Sequence, residues 1–292
     1  MATAGQWIEG ARLRTLPISI SSVIAGVASA VAIGRFSPLP AVLALVVALA
    51  LVIGVNFSND YSDGIRGSDG PDRVGPLRLV GSGAARPGQV RAAAFGCFGV
   101  AGLAGLALVV LTGHWWLLAV GVACVLAAWF YTGGSHPYGY AGLGEIFVFV
   151  FFGLVAVCGT TYVVAGRVVA ATWVTGVVFG LLACAVLVAN NLRDIDGDRV
   201  SGKRTLATRL GDAGTRVFYV ALVVLALAGV VAVAALTGWW SLLGLAMTVF
   251  LVGPVRAMAT GATGMVLVKA LKDTGFAELA GSVGLLAGAL LG

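Results

Sequence analysis

Charge is what this chain has least of. Asp, Glu, Lys and Arg make up 10% of its 292 residues against 60% hydrophobic ones, and the mean hydropathy is +1.03. That balance excludes a soluble globular domain and predicts an all-α polytopic membrane protein. Cysteine is sparse too. Cys97, Cys124, Cys158 and Cys184 all fall inside apolar runs, with no CxxC pair and no neighbouring His. The pattern argues against a disulfide framework or a zinc site and for buried small side chains. No G-x-x-x-x-G-K-[ST], H-E-x-x-H or G-x-S-x-G occurs, which removes support for nucleotide hydrolysis, zinc proteolysis and a serine nucleophile.

The few charges present are clustered. Eight of the 12 acidic residues lie in two expected loops, Asp60, Asp63, Asp69 and Asp72 in one, Asp194, Asp196, Asp198 and Asp212 in the other. Each cluster follows an apolar run and begins with asparagine: Asn59-Asp60-Tyr61-Ser62-Asp63 and Asn190-Asn191-Leu192-Arg193-Asp194. Carboxylates one turn apart at a helix end share a face and repel one another in a low dielectric, so the pattern requires a cation. Mg²⁺ fits, because it takes one or two carboxylates and completes its shell with water and phosphate oxygens. Arg66, Arg73 and Arg78 follow the first cluster and Lys203 and Arg204 the second, an alternation that suits a metal-bridged diphosphate. The run from Asp194 to Asp198 begins like an EF-hand loop, but Arg199 and Thr205 occupy the positions that need Gly and Glu, so calcium sensing is not expected.

Apolar spans are expected at about 17–34, 40–57, 90–111, 114–131, 143–164, 168–189, 215–236, 239–257 and 274–291, nine helices in all. The first follows Arg12 and Arg14 with no cleavage signal and is read as a retained span. With a cytoplasmic N-terminus, 16 of the 18 basic residues fall inside and only Arg35 and Arg167 outside. Both Asp clusters then face the cytoplasm, at the inner face of the cell membrane. The net charge of +6 follows this topology, so a lipid bilayer is the expected partner and nucleic acid is not. Residues 263–273 suggest a separate short interfacial helix. The chain is read as one domain, 1–292. Gly-Trp-Trp-like segments at 111–116 and 236–240, together with Asn59 and Asn190, allow two four-helix pseudo-repeats at about 15–132 and 143–257. An oligomer is left open.

A third segment, Trp129 to Glu145, is rich in aromatic, hydroxyl and Gly residues and has no Lys or Arg. Aromatic faces there suit stabilisation of a developing cation, and Tyr131 and Tyr138 are candidates for handling substrate. An interfacial aromatic belt is the plainer reading.

The two Asp stretches resemble the paired motifs of the UbiA-type intramembrane prenyltransferases. Their wording, with Asp72-Arg73-Val74-Gly75-Pro76-Leu77-Arg78 and Tyr131-Thr132-Gly133-Gly134, is similar to the 1,4-dihydroxy-2-naphthoate polyprenyltransferases of menaquinone synthesis. The resemblance covers nearly the whole chain. It implies nine helices around a central cavity, Mg²⁺ held by both motifs, a polyprenyl diphosphate donor, and loss of CO₂ and a proton to leave demethylmenaquinol. Residue by residue it implies a reacting set of Asp60, Asp63, Asp194, Asp198 and Tyr131. The implied metal ligands are Asp60, Asp63, Asp69, Asp194 and Asp198, with Gly67 standing where the superfamily often has Asp. The substrate contacts it implies are Asn59, Arg12 and Lys203, with Arg12 facing the aromatic acid, and Arg66, Arg73, Asn190, Asn191 and Tyr138 are the further candidates for substrate contact. Two alternatives remain: another acceptor (4-hydroxybenzoate, homogentisate or haem) and a cation or metabolite transporter. The second is disfavoured because the carboxylates lie on one side of the membrane and not at broken helices near its midplane.

Overall fold

The computed structural model describes residues 2–67 and 77–292, and every regular element among them is helical. Asp69, Asp72 and Arg73 lie outside the described residues. A capping box, Thr3 with Gln6, opens α1 (Ala4–Gly10). Arg12 follows in the left-handed region (φ 53), and a single 3₁₀ turn leads into α2 (Leu16–Ala32), with Pro17 in its first turn. Then come α3 (Pro38–Arg66), α4 (Pro87–Thr112) and α5 (Leu117–Phe130). The next span is continuous over Gly144–Ala165: α6 (Gly144–Val148), a π-helical stretch (Phe149–Cys158) and α7 (Gly159–Ala165). After α8 (Ala170–Arg193), the short α9 (Ile195–Val200) and α10 (Leu206–Thr237), a 3₁₀ stretch (Trp239–Met247) runs into α11 (Thr248–Ala259), and α12 (Met265–Leu291) ends the chain.

Eight of these helical runs are long and apolar enough to cross a membrane. The remaining expected span, α5, has 14 residues and reaches roughly 21 Å at 1.5 Å per residue, short of a ~30 Å hydrocarbon core. Large apolar side chains such as Leu103, Val122, Val217 and Val249 stand exposed along the helices, as a lipid-facing surface requires.

Two expectations fail at boundaries. The described part of the first Asp cluster is not in a loop: α3 continues through Asn59, Asp60 and Asp63 and closes only at Gly67, which has φ 69. No proline interrupts it, and the polar turn is held by neighbours described below. Residues 263–273 are likewise not a separate helix, since α12 runs unbroken from Met265. The acidic residues of the second cluster also sit on or beside helices, Asp196 and Asp198 in α9 and Asp212 in α10.

The core gathers around α8, whose apolar window is 72% buried against 22% for that of α3. Phe179, Leu182 and Val188 of α8 pack with Tyr219 and Leu222 of α10 and Met247 beyond it. Small residues set this packing. A Cβ at Gly153 of the π-helical stretch would lie 2.5 Å from both the Gly176 carbonyl oxygen and Gly180 Cα, so α8 approaches backbone to backbone there. This contact fixes α8 against the segment that begins at Gly144, and both carry site residues at the same end of the bundle.

Candidate active site at the joined helix ends

The last turns of α3 present Asn56, Asn59, Asp60, Asp63 and Arg66 at spacings of three and four, one helical face. Asn56 Nδ2 donates to Ala11 O and Thr15 Oγ1, both at 3.0 Å, and so fastens the backbone on either side of Arg12 to α3. No sequence signal marks this role, because a lone Asn in an apolar helix matches no motif.

Asp60 is 1% exposed. Its Oδ2 accepts from Leu79 N at 2.7 Å and its Oδ1 from Val80 N at 2.9 Å. Both oxygens therefore accept from the backbone that returns to α4, and the Arg12 charge acts on the same carboxylate. Asp63, one turn on, is surrounded by cationic and hydroxyl groups: Arg78 Nη2 at 3.1 Å, Lys203 Nζ at 3.4 Å and the Tyr140 hydroxyl. Lys203 belongs to the connection between α9 and α10, so this ion pair brings the two Asp clusters together directly.

At the other cluster Arg193 holds both Asp194 oxygens, Nε to Oδ1 at 2.7 Å and Nη2 to Oδ2 at 2.6 Å, and bonds Asn190 Oδ1 at 3.0 Å. Asp198 lies one turn beyond, its amide bonded to Asp194 O. Asp196 points elsewhere: its side chain is 93% exposed and pairs with Arg199 at 3.4 Å. Asn191 turns inward and donates to Glu145 Oε1 at 3.0 Å.

The aromatic segment is built into the same end. Arg66 donates to the carbonyls of Thr132 and Gly134, Thr132 Oγ1 donates to Asn59 Oδ1 at 2.8 Å, and Arg204 N bonds Tyr140 O at 2.9 Å. Arg66 is thus a clamp on this loop, with two of its guanidinium nitrogens used. Tyr140 lies under Lys203 Nζ at 4.6 Å and under the Arg66 guanidinium at 5.4 Å from its ring centroid. Neither expected tyrosine holds that place. Tyr138 gives its hydroxyl to Ala127 O at 2.7 Å and stacks on Phe147 at 3.8 Å, so it anchors the turn. Tyr131 sits beside Tyr138, edge to face at 5.5 Å. Alternation of Tyr138, Gly139 and Tyr140 in a 3₁₀ turn sends the two phenols to different neighbours, a distinction that sequence alone leaves hidden.

Burial is the main cause that pushes all three phenols above the usual tyrosine range; Glu145 adds to it at Tyr131 and Asp63 at Tyr140. All three therefore stay protonated through neutral pH, as donors and not as bases.

The donor set suits Mg²⁺ in a particular way. Asp63, Asp194 and Asp198 supply hard oxygens, but no group of three potential ligands is assembled among the described residues. A site of one or two carboxylates completed by phosphate oxygens has this character, and Lys203 and Arg78 are placed to meet those oxygens.

Comparisons with known proteins agree with this geometry. The UbiA prenyltransferase family matches residues 19–263. A curated 1,4-dihydroxy-2-naphthoate octaprenyltransferase of Mycobacterium tuberculosis is 51% identical over 99% of this chain and 98% of its own length. One of Escherichia coli is 41% identical over 81% and 80%. Among solved structures, a UbiA homolog from Aeropyrum pernix superposes with a TM-score of 0.71 at 17% identity, covering 94% of this chain and 97% of its own. A UbiA homolog from Archaeoglobus fulgidus, bound to GPP and Mg²⁺, gives 0.65 at 13% over 96% and 99%. With a family match over residues 19–263 and a relative 51% identical over 99% of its length, the chain belongs to the UbiA prenyltransferase family.

Proposed function

We propose that this chain transfers a polyprenyl group from polyprenyl diphosphate to 1,4-dihydroxy-2-naphthoate with decarboxylation, giving demethylmenaquinol for menaquinone synthesis. The observation that carries the reading is the 3.4 Å contact of Lys203 with Asp63, because it turns two separated Asp clusters into one anion-binding end. The acceptor follows the names of the relatives at 51% and 41% identity.

Asp63, Asp194 and Asp198 would hold Mg²⁺, which when bound neutralises charge developing on the leaving diphosphate. Asp60 is assigned instead to anchoring the backbone at Leu79 and Val80. Lys203 and Arg78, now paired with Asp63, contribute direct donors to the diphosphate as the allylic C–O bond ionises. Tyr140 keeps Asp63 and Lys203 in register. Closely packed helices and the aromatic loop exclude water from the allylic cation, and Arg12, fixed at its bend by Asn56, orients the carboxylate of the aromatic acid. The nine-span arrangement, a cytoplasmic N-terminus and a plasma-membrane location are part of the same proposal and rest on the distribution of basic residues.

Purified protein supplied with polyprenyl diphosphate and Mg²⁺ is expected to prenylate 1,4-dihydroxy-2-naphthoate and not 4-hydroxybenzoate, as read by mass spectrometry of the product. Equal use of both acceptors, or exclusive use of the second, would contradict the acceptor assignment.

A further inference from the structure

Glu145 is a carboxyl for which the account above has no use. It lies in the first turn of α6 at 6% exposure, in a span of an almost uncharged bundle. No basic side chain pairs with it among the described residues. Placing an ionisable group there without a counter-ion is costly, and such groups are retained for function more often than for stability.

Its surroundings point toward the site. Asn191, from the second Asp cluster, donates to Oε1 at 3.0 Å, and Cys184 Sγ bonds the Glu145 backbone carbonyl at 3.0 Å. The Tyr131 phenol feels the charges of Glu145, Asp63 and Asp198, so it lies on the side of Glu145 that faces both motifs. The Tyr131 ring packs directly on the residue before Glu145: a Cβ at Gly144 would lie 3.5 Å from Tyr131 Cε2 and 3.6 Å from its hydroxyl oxygen. The other titratable groups facing this corner are Tyr138 beside Tyr131 and Cys184, itself within range of Glu278. Among these groups Glu145 is the carboxyl, and the bond donated by Asn191 Nδ2 favours its ionised, proton-accepting form.

We propose that Glu145, held by Asn191, is the general base that takes the proton from the acceptor hydroxyl ortho to the carboxylate, directly or through the Tyr131 phenol. This rests on the naphthoate reading above. As the proton moves to Glu145, the oxygen electron pair makes the carboxyl-bearing ring carbon nucleophilic. That carbon bonds to the allylic carbon whose C–O bond to diphosphate has broken, leaving a ring ketone. The bond from ring carbon to carboxylate then breaks, its electron pair restores the aromatic ring and the oxyanion, and CO₂ departs. The oxyanion recovers the proton from Glu145, so no oxidant and no outside proton is needed.

The test uses the whole enzyme in detergent with Mg²⁺, polyprenyl diphosphate and naphthoate. Glu145→Gln keeps the volume and an acceptor for Asn191. It is expected to lower kcat about a hundredfold or more, the usual scale of a positioned base, to leave KM for the diphosphate within about twofold, and to abolish the low-pH limb of kcat/KM for the acceptor. Glu145→Asp should keep that limb. A carboxyl that merely ties α6 to α8 would change thermal stability and leave the pH profile alone; a Gln variant with near-native kcat and an unchanged limb overturns the proposal. Should the Gln variant fail to fold, the wild type decides. Electron-poor naphthoates already ionised at the assay pH should lose the low-pH limb that the parent acceptor shows, and equal limbs overturn the assignment. A wild type that makes no prenylated naphthoquinol overturns the functional reading and this inference together, whereas an active wild type with an indifferent Glu145→Gln overturns only the inference.

Discussion

Asp60 and Asp63, one turn apart on α3, have different partners, and the tasks proposed for them differ accordingly. Asp60 satisfies two buried backbone amides, while Asp63 faces Arg78, Lys203 and Tyr140. Asp60→Asn is accordingly expected to cost about 1–3 kcal/mol, because one amide loses its acceptor, and to leave the Mg²⁺ dependence of turnover unchanged; thermal unfolding and a Mg²⁺ titration separate the two effects. Tyr140→Phe should lower kcat/KM for the diphosphate about tenfold, the equivalent of one charge-assisted hydrogen bond, with little change in melting temperature. Tyr138→Phe should do the reverse, losing about 1 kcal/mol of stability with the Ala127 bond and keeping its kinetics. Steady-state assays beside melting curves distinguish the pair.

At the scale of elements, the close approach of α8 to the π-helical stretch sets where Asn191 and Glu145 meet. Gly153→Ala would drive a methyl group into the Gly176 carbonyl and Gly180, and is expected to destabilise by about 1–3 kcal/mol, read by thermal unfolding in detergent. How much of this was legible beforehand depends on the physical signal. Eight of the expected apolar runs coincide with helices long enough to span and are readable from hydropathy, because each is a contiguous stretch that lipid selects; the run at α5 is shorter than expected. The extent of α3 past Phe57 was not, since polar residues at a helix end look like a loop until tertiary partners such as the Asp60 amides and the Asn59–Thr132 bond are known. Charge clustering pointed to Asp63 and Lys203, which the structure brings to 3.4 Å of each other. Asn56, Tyr140 and the anchoring role of Asp60 were hidden because each depends on which face of a turn meets which neighbour, and no single-sequence periodicity reports that.

At the scale of the molecule, Asp63, Lys203, Arg78 and the second Asp cluster share one end of an apolar bundle, and the orientation proposed above, from the distribution of basic residues, puts that end on the cytoplasmic side. With the four native cysteines replaced, Ser201→Cys at the α9–α10 connection is expected to react with a membrane-impermeant maleimide only in inverted vesicles; labelling in right-side-out vesicles would reverse the orientation. The central claim is that the two Asp clusters act as one Mg²⁺–diphosphate site. Its most direct test is turnover of polyprenyl diphosphate with naphthoate by the wild type and by Asp63→Asn and Asp194→Asn, each with Mg²⁺ and with EDTA. The account predicts activity only in the wild type with Mg²⁺, and folded but inactive variants. Either variant keeping near-native Mg²⁺-dependent turnover would contradict it.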